Sequence, residues 1–360
     1  MHACLVNVSS PRYNLGLAKY RAYLVERGWQ VEVAAEPPRP LFAAGYDLVA
    51  FSAIFSWDVP ALIAGVRQVD ERAPVEIGGP GTFVLALHIE RETGVTPARG
   101  LDPRFERARP LPGESYEQTF SSRGCPAGCG FCIVPRLEGR QVVAYPDFAP
   151  APEVLDNNVL AAPVAHQERV VERLLAQGYK QVDFKSGFEA ARLDQAAFER
   201  FNRLPLKPWR LAFDETRDAP AVERAMRLLG ENGIRGRRLG VYVLFGNEPP
   251  GACHERAQKV IAWGGEPFVQ PLMALDALEK RPVARHGWTR QDLIDASRYY
   301  NRWIWRKTPW AEYDRHFRAG RRPQGEDDKE RSGNGGRAGK KEDGPAVRQM
   351  TLHGGTVRQE

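Results

Sequence analysis

The sequence predicts an α/β protein: a partial (βα)6 TIM-like barrel, preceded by a small doubly wound α/β domain and followed by a C-terminal helical extension. Apolar runs of strand length alternate with segments at helical spacing over residues 1–80 and again over 116–275. In the longer series, successive strands are separated by ten or more residues, too far for hairpins and right for parallel crossovers. Three cysteines, Cys125, Cys129 and Cys132, follow the first strand of that series, at the strand end where such barrels carry their chemistry.

The elements follow in order. In the first domain, strand "ACLVNV" leads to helix "NLGLAKYRAYLVERG", strands "WQVEVAA" and "YDLVAFSAIF", helix "VPALIAGVRQVDERA" and strand "VEIGGPG". Strands alternating with helices imply a parallel sheet. Residues 81–115 end in the Pro- and Arg-rich "ARGLDPRFERARPLPGES" and read as a connecting segment. The barrel over 116–275 begins with strand "EQTFSSRG", and strands "PEVLD", "KQVDFKS", "WRLAFDE", "LGVYVLFG" and "EPFVQPLMA" follow, with helical segments between the later ones. Residues 276–316 contain "TRQDLIDASRYYNRWIWRKTPWAEY", read as one helix whose Trp303, Trp305 and Trp310 pack on the barrel. From Phe317 to Glu360 the chain is Gly-rich, of mixed charge and too poor in apolar residues to order itself.

Composition narrows the function classes. Lys and Arg number 51 against 45 Asp and Glu, a formal charge of +6, which permits a polyanionic partner without the concentrated basic stripe that would imply one. No run approaches the length of a spanning helix, and the first apolar stretch has no charged segment before it, as a signal peptide would. The expectation is a cytoplasmic protein with no membrane partner. Five cysteines, three of them clustered, suit metal ligation better than a disulfide framework.

Structural zinc takes four ligands, commonly two close pairs, and here only the isolated Cys4 and Cys253 remain to complete a set. Iron-sulfur cubanes take one thiolate per iron, so three cysteines leave one iron open to a small molecule. The spacing Cys-x3-Cys-x2-Cys with an aromatic before the last cysteine, "CPAGCGFC", resembles the cluster loop of radical S-adenosylmethionine enzymes. The resemblance covers about residues 116–275, and "LDNNVLAAP", "VDFKSGFEAARLD" and "GVYVLFG" are similar to an uncharacterised group of that superfamily with a cobalamin-binding-like N-terminal domain.

The resemblance implies a [4Fe-4S] cluster on Cys125, Cys129 and Cys132, S-adenosylmethionine on the fourth iron, and reductive cleavage to a 5'-deoxyadenosyl radical acting on an unknown substrate. It also implies a reductant protein such as a flavodoxin or ferredoxin. Phe131 matches the position whose backbone lies near the adenine. Asp156, Asn157 and Asn158 stand where the family meets the methionine amino group, and Asn157 is the residue assigned to it. Ser186 and Arg192 suit the ribose and carboxylate, and Val243 and Gly246 match the adenine-holding strand.

Each has a plainer reading: Ser186 as a turn cap, Arg192 in a surface ion pair, Val243 as core. "IVPRLEGRQVVAYPDFAPA" replaces the family's usual helix, and Arg136, Glu138 and Arg140 are read either as facing the cavity or as a solvated loop. Asp214 and Glu215 are acid–base candidates or helix caps; Cys253 is read as a small buried residue.

Two alternatives stay open. A cobalamin-dependent methyltransferase would use the N-terminal domain, although its loop "NVSSPRYNLG" lacks the cobalt-ligating histidine. A non-enzymatic, metal-stabilised protein binding nucleic acid or acting in regulation would use the excess of arginines.

Overall fold

The protein, here a computed structural model, is described over residues 1–37, 45–70 and 72–319. Strands β1 (His2–Asn7), β2 (Gln30–Ala34), β3 (Leu48–Ser52) and β4 (Val75–Gly78) form a parallel sheet in the order β2-β1-β3-β4. All five residues of β3 are buried, as in a parallel strand covered on both faces. Helix α1 (Leu15–Val25) begins at Asn14, whose side chain accepts from the Leu17 amide at 3.1 Å, and α2 (Val59–Val66) packs Val59, Leu62 and Ile63 into the core with Phe51. The chain leaves β1 for β2 on one side and returns to β3 on the other, so a crevice opens beyond the ends of β1 and β3. The register sets Asn7 opposite Ser52 and Ser52 opposite Gly78 along that edge.

The segment after residue 80 is more ordered than its sequence suggests. A 3-10 stretch (Pro80–Leu85) runs into α3 (Ala86–Thr93), stopped by Gly94 at φ 73°. Leu85 and Ile89 join the core of the N-terminal sheet, so four-residue apolar spacing wins over the polar flanks.

The strand expected over "EQTFSSRG" divides. β5 (Gln118–Thr119) enters a parallel sheet, whereas β6 (Ser122–Arg123) turns to pair antiparallel with β7 (Val143–Ala144). The cause lies between them: the Asp156 carboxylate takes the Ser121 amide at 2.6 Å, a donor that an unbroken ladder would use. The connection between β6 and β7 carries the three cysteines and the short helix α4 (Val134–Leu137).

The parallel strands then follow in chain order. β5 pairs with β8 (Glu153–Val154) and β8 with β9 (Asp183–Phe184); β10 (Trp209–Ala212) pairs with β11 (Leu239–Phe245) and β11 with β12 (Glu266–Pro271). Two isolated parallel bridges, Val182 to Leu206 and Phe188 to Leu211, join the two sets. Helices α5 (Val164–Leu175), α6 (Gln195–Phe201), α7 (Ala219–Glu231) and α8 (Pro250–Ala262) occupy the connections. α7 buries Val222, Ala225, Met226 and Leu229, one stripe of a 3.6-residue period. The core beneath β9 and β10 is aromatic, with Phe184 edge-on to Phe201 at 5.4 Å and Phe188 against Trp209 at 4.9 Å.

The C-terminal extension is two helices, not one. α9 (Arg290–Asn301) opens on a Thr289–Asp292 capping box, Trp303 interrupts at φ 55°, and α10 (Trp310–Ala319) restarts beyond Pro309. Trp305 and Trp310 pack against the main core, while Trp303 stays half exposed and donates to Glu266 at 2.9 Å. The tail expected from Phe317 lies outside the described residues apart from its first three, which end α10. Residues Met1–Tyr313 form one compact unit. No helix among the described residues is long and apolar enough to cross a membrane.

Candidate functional site

The cysteine loop is wrapped tightly at its start. Gly124 has φ 85°, and a Cβ there would lie 2.1 Å from the Gln141 carbonyl oxygen, so only glycine lets the return strand approach. The Cys125 amide donates to the Gly139 carbonyl at 3.2 Å, and the Cys132 amide to that of Cys129 at 3.1 Å. All three thiols are free and partly exposed. Burial, then the nearby Cys132, Asp214 and Cys125, pushes Cys129 up to about 11. Cys132 is raised by burial first, with Cys125, Asp214 and Glu138 adding to it and the Val134 amide opposing. The side chains are not drawn into a ligand set: among the described residues, no three His, Cys, Asp or Glu are grouped to hold a metal ion.

Glu138 fastens this loop. One carboxylate oxygen accepts from the Gly124 amide at 3.0 Å and the Asn157 amide at 2.6 Å; the other accepts from Arg123 at 3.1 Å. Arg123 continues to Glu106 at 2.8 Å, and Glu106 to the buried Lys19. Arg136 and Arg140, read beside Glu138 as facing a cavity, are exposed.

Asp156, Asn157 and Asn158, just beyond β8, have separate tasks. Asp156 is buried, accepting from the hydroxyls of Ser121 and Ser122 at 2.5 and 2.8 Å; burial holds its carboxyl above the ordinary range. Asn157 is committed to Glu138. Asn158, buried, donates to Glu189 at 2.7 Å and lies 3.7 Å from the Cys125 sulfur, and its carbonyl oxygen Oδ1 has no hydrogen-bond partner. Glu189 in turn holds Arg192 at 2.6 Å. A chain of contacts therefore runs from Cys125 through Asn158 and Glu189 to Arg192.

Of the other sequence-predicted residues, Phe131 is half-buried in the loop and Ser186 is exposed, its hydroxyl 3.4 Å from the Leu155 carbonyl. Val243 is fully buried in the apolar core and offers no side-chain surface to a ligand. Gly246 ends β11 at φ 97°. Glu215 forms a capping box with Asp218, while Asp214 is pushed up to about 6 by burial, with Arg256 opposing. Arg256, itself buried, clamps the ends of β10 and β11 through the Phe213 and Leu244 carbonyls at 2.5 and 2.8 Å. Cys253 is buried beside it, 3.3 Å from a guanidinium nitrogen.

Sequence reasoning missed Glu189, Arg123 and Glu106. The three-residue spacing of Glu189 and Arg192 was an available signal; Glu106 and Arg123 sit in stretches that read as solvated.

The chemistry of these residues is compatible with the [4Fe-4S] cluster and S-adenosylmethionine that the resemblance implies, although the three thiols are not grouped as ligands. Burial and neighbouring charged groups favour the protonated forms of Cys129 and Cys132, so a cation would be needed to make thiolates stable there. Asn158, whose Nδ2 lies 3.7 Å from the Cys125 sulfur, also carries an orphaned, buried acceptor in Oδ1, the kind of group that a bound ammonium satisfies. No family model matches the chain, and no curated protein matches it.

Proposed function

We propose that the chain is a radical S-adenosylmethionine enzyme, working in the reducing cytoplasm on a partial (βα)6 barrel. The carrying observation is that "CPAGCGFC" lies beyond β5, the first of six parallel strands in two three-stranded sheets, and that Asn158, whose Nδ2 lies 3.7 Å from the first cysteine's sulfur, keeps a buried, unpartnered Oδ1. Apart from the β6–β7 excursion, the strands of both sheets are parallel and pair in chain order, which supports the barrel reading.

In this reading Cys125, Cys129 and Cys132 hold a [4Fe-4S] cluster. Such a cluster, once reduced, supplies the electron that splits S-adenosylmethionine into methionine and a 5'-deoxyadenosyl radical. Asn158 Oδ1 accepts from the ammonium of the methionine moiety. Arg192, held by Glu189, is available to its carboxylate. Glu138 keeps the loop closed by bridging Gly124 and Asn157.

The test is anaerobic reconstitution with iron and sulfide, followed by dithionite and S-adenosylmethionine. Wild type is expected to give 5'-deoxyadenosine and Cys129→Ala none; wild type with a full cluster and no product would sink the reading. Asn158→Ala is expected to weaken S-adenosylmethionine binding at least tenfold while keeping cluster iron, measured by equilibrium dialysis.

A further inference from the structure

A cavity of about 430 Å³ lies over the C-terminal edge of the N-terminal sheet, at the crevice where β1 and β3 diverge. That volume suits a small organic molecule. Its floor is the in-register row ending in Ser52 and Gly78. Its opposite wall comes from the segment after the last cysteine, with Ile133, Val134 and Leu137. Phe51, Phe105 and Phe120 supply aromatic surface.

Gly78 leaves part of the floor open. Gly78 has no positive φ, and a Cβ built on it meets nothing within 4 Å. A larger side chain there meets no backbone strain from φ, and a bulky one would occupy part of the cavity.

Charge selects the ligand. The cations lining the cavity are already committed: Lys19 to Glu106, Arg104 to Glu76 and Asp102, Arg123 to Glu106 and Glu138. Three cations against four acids leave no surplus positive charge for a phosphate or carboxylate. The remaining wall is largely apolar.

We propose that this cavity binds one neutral, largely apolar small molecule, of aromatic character, directly beside the cysteine loop. Binding does not rest on the cluster; that this molecule is the substrate of the radical chemistry does rest on the function proposed above.

The test titrates the purified full chain with N-phenyl-1-naphthylamine, a neutral aromatic probe, by fluorescence. Expected are saturable one-to-one binding, at least tenfold weaker binding in Gly78→Phe with an unchanged melting midpoint, and at least tenfold weaker binding of anilinonaphthalene sulfonate, whose similar rings carry an anion. Should Gly78→Phe not fold, Leu101→Trp, from the half-buried rim, is expected to show the same loss. Cys129→Ala is expected to bind the probe as wild type does, whatever its yield of 5'-deoxyadenosine. Unsaturable binding, full affinity in a folded cavity-filling variant, tighter binding of the sulfonate, or loss of binding in folded Cys129→Ala would overturn the proposal.

Discussion

Asp214 shows how much a single position can hide. Its carboxyl, pushed up to about 6 by burial, holds its proton more tightly in the folded chain than in the unfolded one, where the value is about 4. The sign follows: this contribution to stability is fully present below about pH 4 and is lost as the pH rises through 6. Asp214→Asn, neutral and nearly isosteric, is therefore expected to be more stable than wild type at pH 8 relative to pH 4 by on the order of 2–3 kcal/mol. Arg256 keeps Glu248 at 3.0 Å in that variant. Urea midpoints across pH 4–8 measure it, and parallel profiles for the two proteins would contradict it. The sequence named Asp214 through its place at a strand end, but its proton affinity depends on burial that only the fold creates and on Arg256, which α8 brings from a distant segment to oppose the shift. "LDNN" shows the same limit: the motif's place was legible, yet which of Asp156, Asn157 and Asn158 keeps a free acceptor depends on Ser121 and Glu138, which the fold alone brings there.

Among the elements, strand position was legible wherever apolar runs were bounded by turns. β11 and β12 carry the clearest such runs and make the longest ladder of the second set. Illegible were features set by one competing hydrogen bond or one strained residue: the split between β5 and β6 at Ser121, and the break at Trp303. β12 illustrates how an edge is closed. Asn301, ending α9, accepts from the Val269 amide at 2.7 Å and donates to its carbonyl at 2.9 Å, imitating a further strand on groups an edge would leave open. Asn301→Ala is expected to cost about 1–3 kcal/mol, read as a lower urea midpoint with helix content retained. A change within roughly 0.5 kcal/mol would mean that α9 is held by its apolar face alone.

At the scale of the whole molecule, the N-terminal sheet and the cysteine loop are joined by charge. Lys19 on α1, Glu106 in the connecting segment, Arg123 on β6 and Glu138 after α4 form one chain of ion pairs with side chains 5–12% exposed. Glu106 is its centre, because it serves both Lys19 and Arg123. Burial already pulls the Lys19 ammonium below its ordinary range, with Glu106 opposing that shift. Removing the acid leaves the buried Lys19 without a carboxylate and Arg123 with Glu138 alone; breaking a buried pair typically costs about 3–5 kcal/mol, whereas removing an acid and its partner together costs less. Glu106→Gln is thus expected to lower stability by about 3 kcal/mol, and Lys19→Met combined with Glu106→Gln to recover part of the loss. The loop should respond as well: with Arg123 freed from Glu106, its hold on Glu138 changes, and Glu138 is what ties Gly124 to Asn157. Iron retained after reconstitution is expected to fall in Glu106→Gln, at a temperature where the far-ultraviolet spectrum is still native, and to rise again in the double variant. Additive losses in the double variant, or full iron retention in the single one, would mean that the two regions are coupled by packing and not by this chain of charges.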